Sequence, residues 1–173
     1  MINLKYLIPT IVFSCFCFGQ KKCNFVINEK KIFAKENLDY FLKKIESKSF
    51  HTFNNGSAIP KHIKKELDCI TGNFSIADKN QKYHDSCFNE GNLAKRQILF
   101  FAKNKELIIL TYATGGDGST THYLFLEYNS KEILNLWSGM TMGISSQKSL
   151  NEIIDFINRY RDTPEMSDNY LSL

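Results

Sequence analysis

The sequence predicts an α+β fold: a four-stranded antiparallel meander at about residues 96–138, with two N-terminal helices and one C-terminal helix packed on it. Four consecutive runs rich in aromatic and β-branched residues, joined by short links, indicate the meander. Apolar residues at helical spacing indicate two helices before these runs and one after them. A length of 173 residues, with 43% hydrophobic and 23% charged residues, is typical of one globular domain.

The N-terminus has the pattern of a secretory signal peptide. One cation, Lys5, precedes an apolar run from Tyr6 to Phe18, and the small residues Cys17 and Gly19 stand two positions apart, as signal peptidase requires. The run is too short to cross a hydrocarbon core of ~30 Å as a helix. We therefore expect cleavage after Gly19, a secreted or periplasmic location, and a mature chain without a membrane span.

Three segments follow from this interpretation: a signal peptide at 1–19, a single α+β domain at 20–163, and a loosely attached C-terminal tail at 164–173. Two alternatives for the first segment remain open. It could form a buried N-terminal helix of the domain, or Cys15 or Cys17 could carry a lipid that anchors the protein to a membrane.

The three predicted helices rest on apolar stripes. The stripe of the first runs from Leu38 to Ile45, and the second helix starts within Ser57 to Pro60. Start or stop signals accompany all of them: Asn37 as the N-cap of the first, Gly72 after the second, and the capping pair Ser149 and Glu152 with Pro164 around the third.

The predicted strands cover residues 96–103, 106–113, 121–128 and 131–137. Asn104-Lys105 and Asn129-Ser130 separate the first and last pairs by two residues, the length of a tight hairpin turn. In the register that these turns imply, both sheet faces are apolar and both need cover. Beyond the helices, the cover could come from the loop between two cysteines, from the N-terminal segment, or from a homodimer through an open sheet face.

One row across the predicted sheet has the residues of a binding site. It contains an arginine, a histidine and the only tryptophan, at the sheet end that carries the glycine loop of residues 115–120. His122 and Trp137 would be cross-strand neighbours, and such a group can hold a small anionic or aromatic ligand. A histidine beside an aromatic residue is also an ordinary packing pair. The candidate binding residues are Arg96, Asp117, Thr120, His122 and Trp137.

The glycine loop itself favours turn chemistry, in which glycines supply positive φ angles. A contact between its tip and a partner is the second interpretation. The loop enters a strand, so it lacks the helix N-terminus and lysine of a phosphate loop, and its one aspartate is too few for calcium. Neither a cofactor nor a metal site is predicted, because no cysteine or histidine spacing suits zinc.

Three cysteines remain after cleavage. Export would place them in an oxidising compartment, where disulfides form. Cys69 and Cys87 flank a polar, turn-rich loop, and we predict a disulfide between them. Cys23 would then be free, unless it is the partner of one of the other two.

The charge pattern disfavours nucleic acid as a partner. Of 22 cationic residues only Lys5 lies in the signal segment, which leaves 21 cations against 18 anions; only three cations are arginines. The sequence therefore favours an exported, non-enzymatic binding or interaction module for an unknown protein or small ligand. The alternative is a small periplasmic hydrolase that uses His122 with Asp117 or Arg96. In either case we expect His122→Ala to leave the fold intact.

Overall fold

A computed structural model describes residues 23–32, 34–86, 91–116 and 118–167 of the chain. The predicted signal peptide, the lipid-anchor candidates Cys15 and Cys17, Cys87, Asp117 and the tail residues 168–173 lie outside the described residues.

Among the described residues, a seven-stranded sheet and four helices confirm the α+β class and the antiparallel meander, but not the limit of four strands. The strands are β1 (His51–Thr52), β2 (Ile76–Ala77), β3 (Arg96–Lys103), β4 (Leu107–Thr114), β5 (Thr120–Tyr128), β6 (Ile133–Met142) and β7 (Met166–Ser167). The helices are α1 (Glu29–Ile32), α2 (Lys35–Glu46), α3 (Lys61–Thr71) and α4 (Leu150–Tyr160).

The meander β3-β4-β5-β6 forms the centre of the sheet, and its order matches the prediction. Antiparallel β1 and β7 extend its two edges, and β2 pairs in parallel with the start of β3. These three added strands have two residues each, which is too short for alternation of apolar and polar residues to reveal them.

Helices α2 and α4 cover one sheet face, here called the α2/α4 face. The buried residues of this layer include Leu38, Phe41, Leu42 and Ile45 of α2, Ile153 and Ile157 of α4, and Phe100, Ile109, Phe125 and Trp137 of the sheet. The predicted cap of α4 is confirmed, since Ser149 Oγ accepts a hydrogen bond from the Glu152 N–H. Asn37 is not an N-cap; it lies buried inside α2, and its amide donates to the Leu136 carbonyl at 2.9 Å.

Helix α3 covers the opposite face, here called the α3 face. Its buried Ile63 and Leu67 pack with Phe74, and Phe25 and Ile27 of the N-terminal segment complete the layer. As predicted, Gly72 terminates α3, as the C-cap that follows Thr71; its φ of 72° suits glycine. Described residues thus pack on both faces of the meander, and the homodimer stays a prediction.

Two turns set a register that differs from the predicted one. Asn104 Oδ1 accepts from the N–H groups of Glu106 and Leu107 at 2.9 and 2.8 Å, and the Asn129 side chain closes the β5–β6 turn in the same way. Each turn is therefore longer than two residues, as asparagine side chains allow. Bulges near Leu99 and between Glu127 and Tyr128 each change the pairing by one residue.

The disulfide joins Cys23 to Cys69, with a Cα–Cα distance of 5.7 Å. The predicted Cys69–Cys87 bridge is therefore wrong, and the alternative in which Cys23 is the partner holds. Glu66 Oε1 accepts from the Phe25 N–H at 2.6 Å, so two bonds fix the N-terminal segment on α3. The prediction paired Cys69 with Cys87 because the two flank one loop. It did not consider that the N-terminal segment, which contains Cys23, packs on α3, which contains Cys69.

The predicted loose tail is partly attached. Met166 and Ser167 pair with Thr141 and Met140 of β6, and the Met166 side chain is buried on the α2/α4 face. Helices within the described ranges fall short of the length and apolar character needed to span a membrane.

Candidate functional site

The structure brings together three of the five predicted binding residues. Arg96, Thr120 and His122 lie at the glycine-loop end of the α3 face. Trp137 does not join them: it pairs with Phe125, whereas His122 pairs with Met140, and the indole packs on the α2/α4 face. The predicted row is therefore wrong, because the pairing of β5 with β6 differs from the predicted one by three residues, an odd number that places Trp137 on the opposite face from His122.

Arg96 is built into the core. It is 2% exposed, and its Nη1 donates to the Asn73 carbonyl at 2.9 Å. The guanidinium lies 5.0 Å from the ring centroid of Phe74 and 5.8 Å from that of Tyr112, both suitable for cation–π contact. Burial raises the pKa of the Tyr112 hydroxyl to about 12. These contacts give Arg96 a structural role in the described part of the chain.

His122 is also a core residue. Its ring stacks on Tyr112 with centroids 4.9 Å apart, and Nε2 is hydrogen-bonded to Thr120 Oγ1 at 2.9 Å. Burial, together with the positive charge of Arg96, lowers the pKa of His122 to about 4, so the ring is neutral at pH 7. A hydrolytic base needs a nearby polar group, which is present, but also access for substrate, and His122 is 0% exposed.

Two glycines of the 115–120 loop are required by the geometry of the backbone. A Cβ atom on Gly115 would lie 2.2 Å from Asp85 Cα and 2.5 Å from the His84 carbonyl oxygen, so the 84–86 segment crosses directly over it. Gly116 has a φ of 120°. These two features favour the turn interpretation of the loop.

We expect Gly115→Ala to lower the free energy of unfolding by about 1–3 kcal/mol, because the methyl group displaces the backbone at Asp85. Gly118→Ala is the matched control, since its Cβ would meet only Met142 Cε at 3.6 Å, an ordinary contact. Urea unfolding of both variants measures the difference. Equal midpoints would show that the 84–86 segment does not press on Gly115.

A cleft of about 630 Å³ opens on the α2/α4 face at the same sheet end, between the end of β6, the loop that follows it and α4. Tyr123 lies buried at its base and stacks on Phe156 at 5.7 Å, and Phe156 contacts Tyr160 at 4.6 Å. Met142 and Ile144 form its apolar rim and are 73% and 51% exposed. We call this the aromatic cleft.

Comparisons with protein-family models, with curated proteins and with solved structures find no match to the chain.

Strand β5 fixes the loop that forms one wall of the aromatic cleft. Thr121 Oγ1 donates to the Gly143 carbonyl and accepts from the Ser145 N–H, both at 2.8 Å. The Tyr123 hydroxyl donates to Gln147 Oε1 at 3.0 Å. A wall held in this way is preformed, so a ligand would not have to order it on binding.

The aromatic cleft has a simple charge pattern. The described residues that line it include one carboxylate, Glu165, and no lysine, arginine or histidine. Serine and threonine hydroxyls, the Gln147 amide and the two tyrosines supply the polar groups. The described chain also has no group of three or more His, Cys, Asp or Glu side chains that could hold a metal ion.

Sequence reasoning missed the aromatic cleft for two reasons. The predicted fourth strand stopped at residue 137, whereas β6 continues to Met142 through a stretch without aromatic residues in which Thr141 alone is β-branched. The cleft also depends on where α4 docks, which no local pattern states. One signal was available: Met142 and Ile144 flank Gly143 in a polar stretch, where apolar side chains have no core to fill.

Proposed function

We propose that this protein is an exported, non-enzymatic binding module that holds the apolar part of a small ligand in the aromatic cleft. The observation that carries the proposal is the contiguous contact of Tyr123, Phe156 and Tyr160 below an exposed apolar rim. Exposed apolar side chains beside a preformed concave site are typical of ligand-binding surfaces.

Two further observations support parts of the proposal. Ser145 and Ser146 line the cleft without a histidine to activate them among the described lining residues, which favours binding over acyl transfer. The Cys23–Cys69 disulfide and the signal-like N-terminus favour an oxidising compartment outside the cytoplasm.

The test uses benzyl alcohol as a neutral aromatic probe. We expect its addition to shift amide NMR signals of residues 141–147 and 156–165, and Phe156→Ala to weaken binding about tenfold, which corresponds to ~1.4 kcal/mol of lost contact. Phe156 is half-buried, so the variant should fold, and the spectrum itself checks this.

Phe53→Ala is the matched control, because Phe53 is a half-buried phenylalanine that lines a different cleft. It should leave the affinity for benzyl alcohol unchanged. Probe shifts scattered over the whole surface, or equal losses in the two variants, would count against a site at the aromatic cleft.

A further inference from the structure

Glu165 is the only carboxylate on the described lining of the aromatic cleft, and it is exposed. It makes no salt bridge with a described residue. The neighbouring charges are neutralised elsewhere: Arg161 Nη1 contacts Asp39 Oδ1 at 2.7 Å, and Asp162 is paired with Lys35. The negative charge of Glu165 can therefore attract or repel a ligand in the cleft.

The aromatic walls of the cleft, like the Glu165 carboxylate, attract positively charged groups. Phe156 and Tyr160 are half-buried, so part of each ring is open to the cleft. The face of an aromatic ring carries partial negative charge and attracts cations, most strongly where water is partly excluded. No described lining residue carries a positive charge that would oppose this attraction.

We propose that the aromatic cleft is selective for a small amphipathic organic cation. Its ammonium group lies against Phe156 and Tyr160 within the field of Glu165, and its apolar body contacts Met142 and Ile144. This inference rests on the proposed function and adds the class of ligand to it. Anions are disfavoured by the same groups.

Three probes of similar shape test the charge preference: benzyltrimethylammonium, benzyl alcohol and benzoate. Cation–π contacts at exposed sites contribute about twofold to fivefold, and the attraction of Glu165 adds to them, so we expect the cation to bind about threefold to tenfold tighter than benzyl alcohol. Benzoate should bind more weakly than benzyl alcohol. Amide NMR titrations at low ionic strength measure all three affinities, since salt screens exposed charges.

Glu165→Gln isolates the carboxylate. We expect it to reduce the advantage of benzyltrimethylammonium over benzyl alcohol to about twofold, the part due to the rings, with both affinities measured in the variant. Asp155→Asn is the matched control, because Asp155 is an exposed carboxylate of α4 that does not line the cleft. It should leave the order of the three probes intact.

The Thr163 side chain and the local backbone hold the pKa of Glu165 below its usual value. The preference for the cation should therefore persist from pH 8 to pH 5. Equal binding of the three probes, or tightest binding of benzoate, overturns the charge selectivity and leaves the binding site standing. Absence of any probe from the cleft overturns the proposed function as well.

Discussion

Replacing Cys23 with serine is expected to lower the free energy of unfolding by about 4 kcal/mol, while Cys87→Ser should leave most of the stability in place. The bridge joins residues 46 positions apart. By the chain-entropy relation, loops of about 15 and 100 residues contribute ~3 and ~4.7 kcal/mol, so a loop of this length falls between them.

Loss of the bridge also weakens the cover of the α3 face. The N-terminal segment carries Phe25 and Ile27 onto that face, and the Phe25 N–H bonds to Glu66. Glu66 is only 7% exposed. A segment that detaches would leave this carboxylate buried with one hydrogen bond fewer, which adds to the entropic loss.

Guanidinium chloride unfolding of the two variants measures the effect, and the intact mass of the unreduced wild type should show two hydrogens fewer than the reduced protein. Reduced wild type should resemble Cys23→Ser. An equal loss in Cys87→Ser would restore the pairing predicted from the sequence, and an unchanged midpoint in Cys23→Ser would exclude the Cys23–Cys69 bridge.

The positions of the central strands could be predicted because they depend on local composition. The run of aromatic and branched residues at 96–103 coincides with β3. The β4 prediction differs from the structure by one residue at each end, and the β5 prediction by one residue at its start. Local composition did not determine the register in which these strands pair. Asn104 and Asn129 each close a turn with the side chain, and a bulge adds a further shift, so the slip was odd where the site was placed.

In the candidate site, too, the features that depend on one strand could be predicted, and those that depend on pairing between strands could not. Thr120 and His122 are two residues apart on one strand, so their common face follows from period 2 alone. The distance between His122 and Trp137 depends on pairing between strands, and that part failed. The aromatic cleft requires a loop, a strand end and a helix to meet, which only packing across the whole domain determines.

Stability is expected to fall by about 3 kcal/mol as the pH is lowered from 7 to 4, and His122 is the cause above pH 5. Burial, then the charge of Arg96, lowers the pKa of His122 from 6.5 to about 4 in the folded protein. Each pKa unit of difference between the folded and unfolded states is worth ~1.4 kcal/mol.

The direction of the change in stability with pH follows from the number of protons bound in the folded and unfolded states. Between pH 6.5 and 4, His122 is protonated in the unfolded chain but stays neutral in the folded chain. The free energy of unfolding therefore increases with pH across this window. The contribution is complete above pH 6.5, decreases as the pH falls below this value, and is lost once the pH has passed through the folded pKa of about 4. Carboxylates with lowered pKa, such as Glu127 beside Lys44, add a loss of the same sign below about pH 4.5. The range from 6.5 to 5 therefore isolates the histidine.

His122→Asn separates titration from packing. Its stability at pH 7 should be lower by about 1–3 kcal/mol, because the stacking on Tyr112 and the fit of the buried ring are lost. This reverses the expectation that His122 could be replaced without effect on the fold. Between pH 6.5 and 5 the variant should show little of the slope found in the wild type.

His62→Gln is the matched control, because His62 is half-buried and its Nε2 lies 2.9 Å from the Asn129 carbonyl oxygen on the α3 side. It should keep the wild-type slope. Urea unfolding at half-unit pH steps gives the three curves. A flat wild-type curve from pH 6.5 to 5, or an undiminished slope in His122→Asn, would mean that the imidazole is not held neutral, and a reachable His122 would then return as a possible catalytic base.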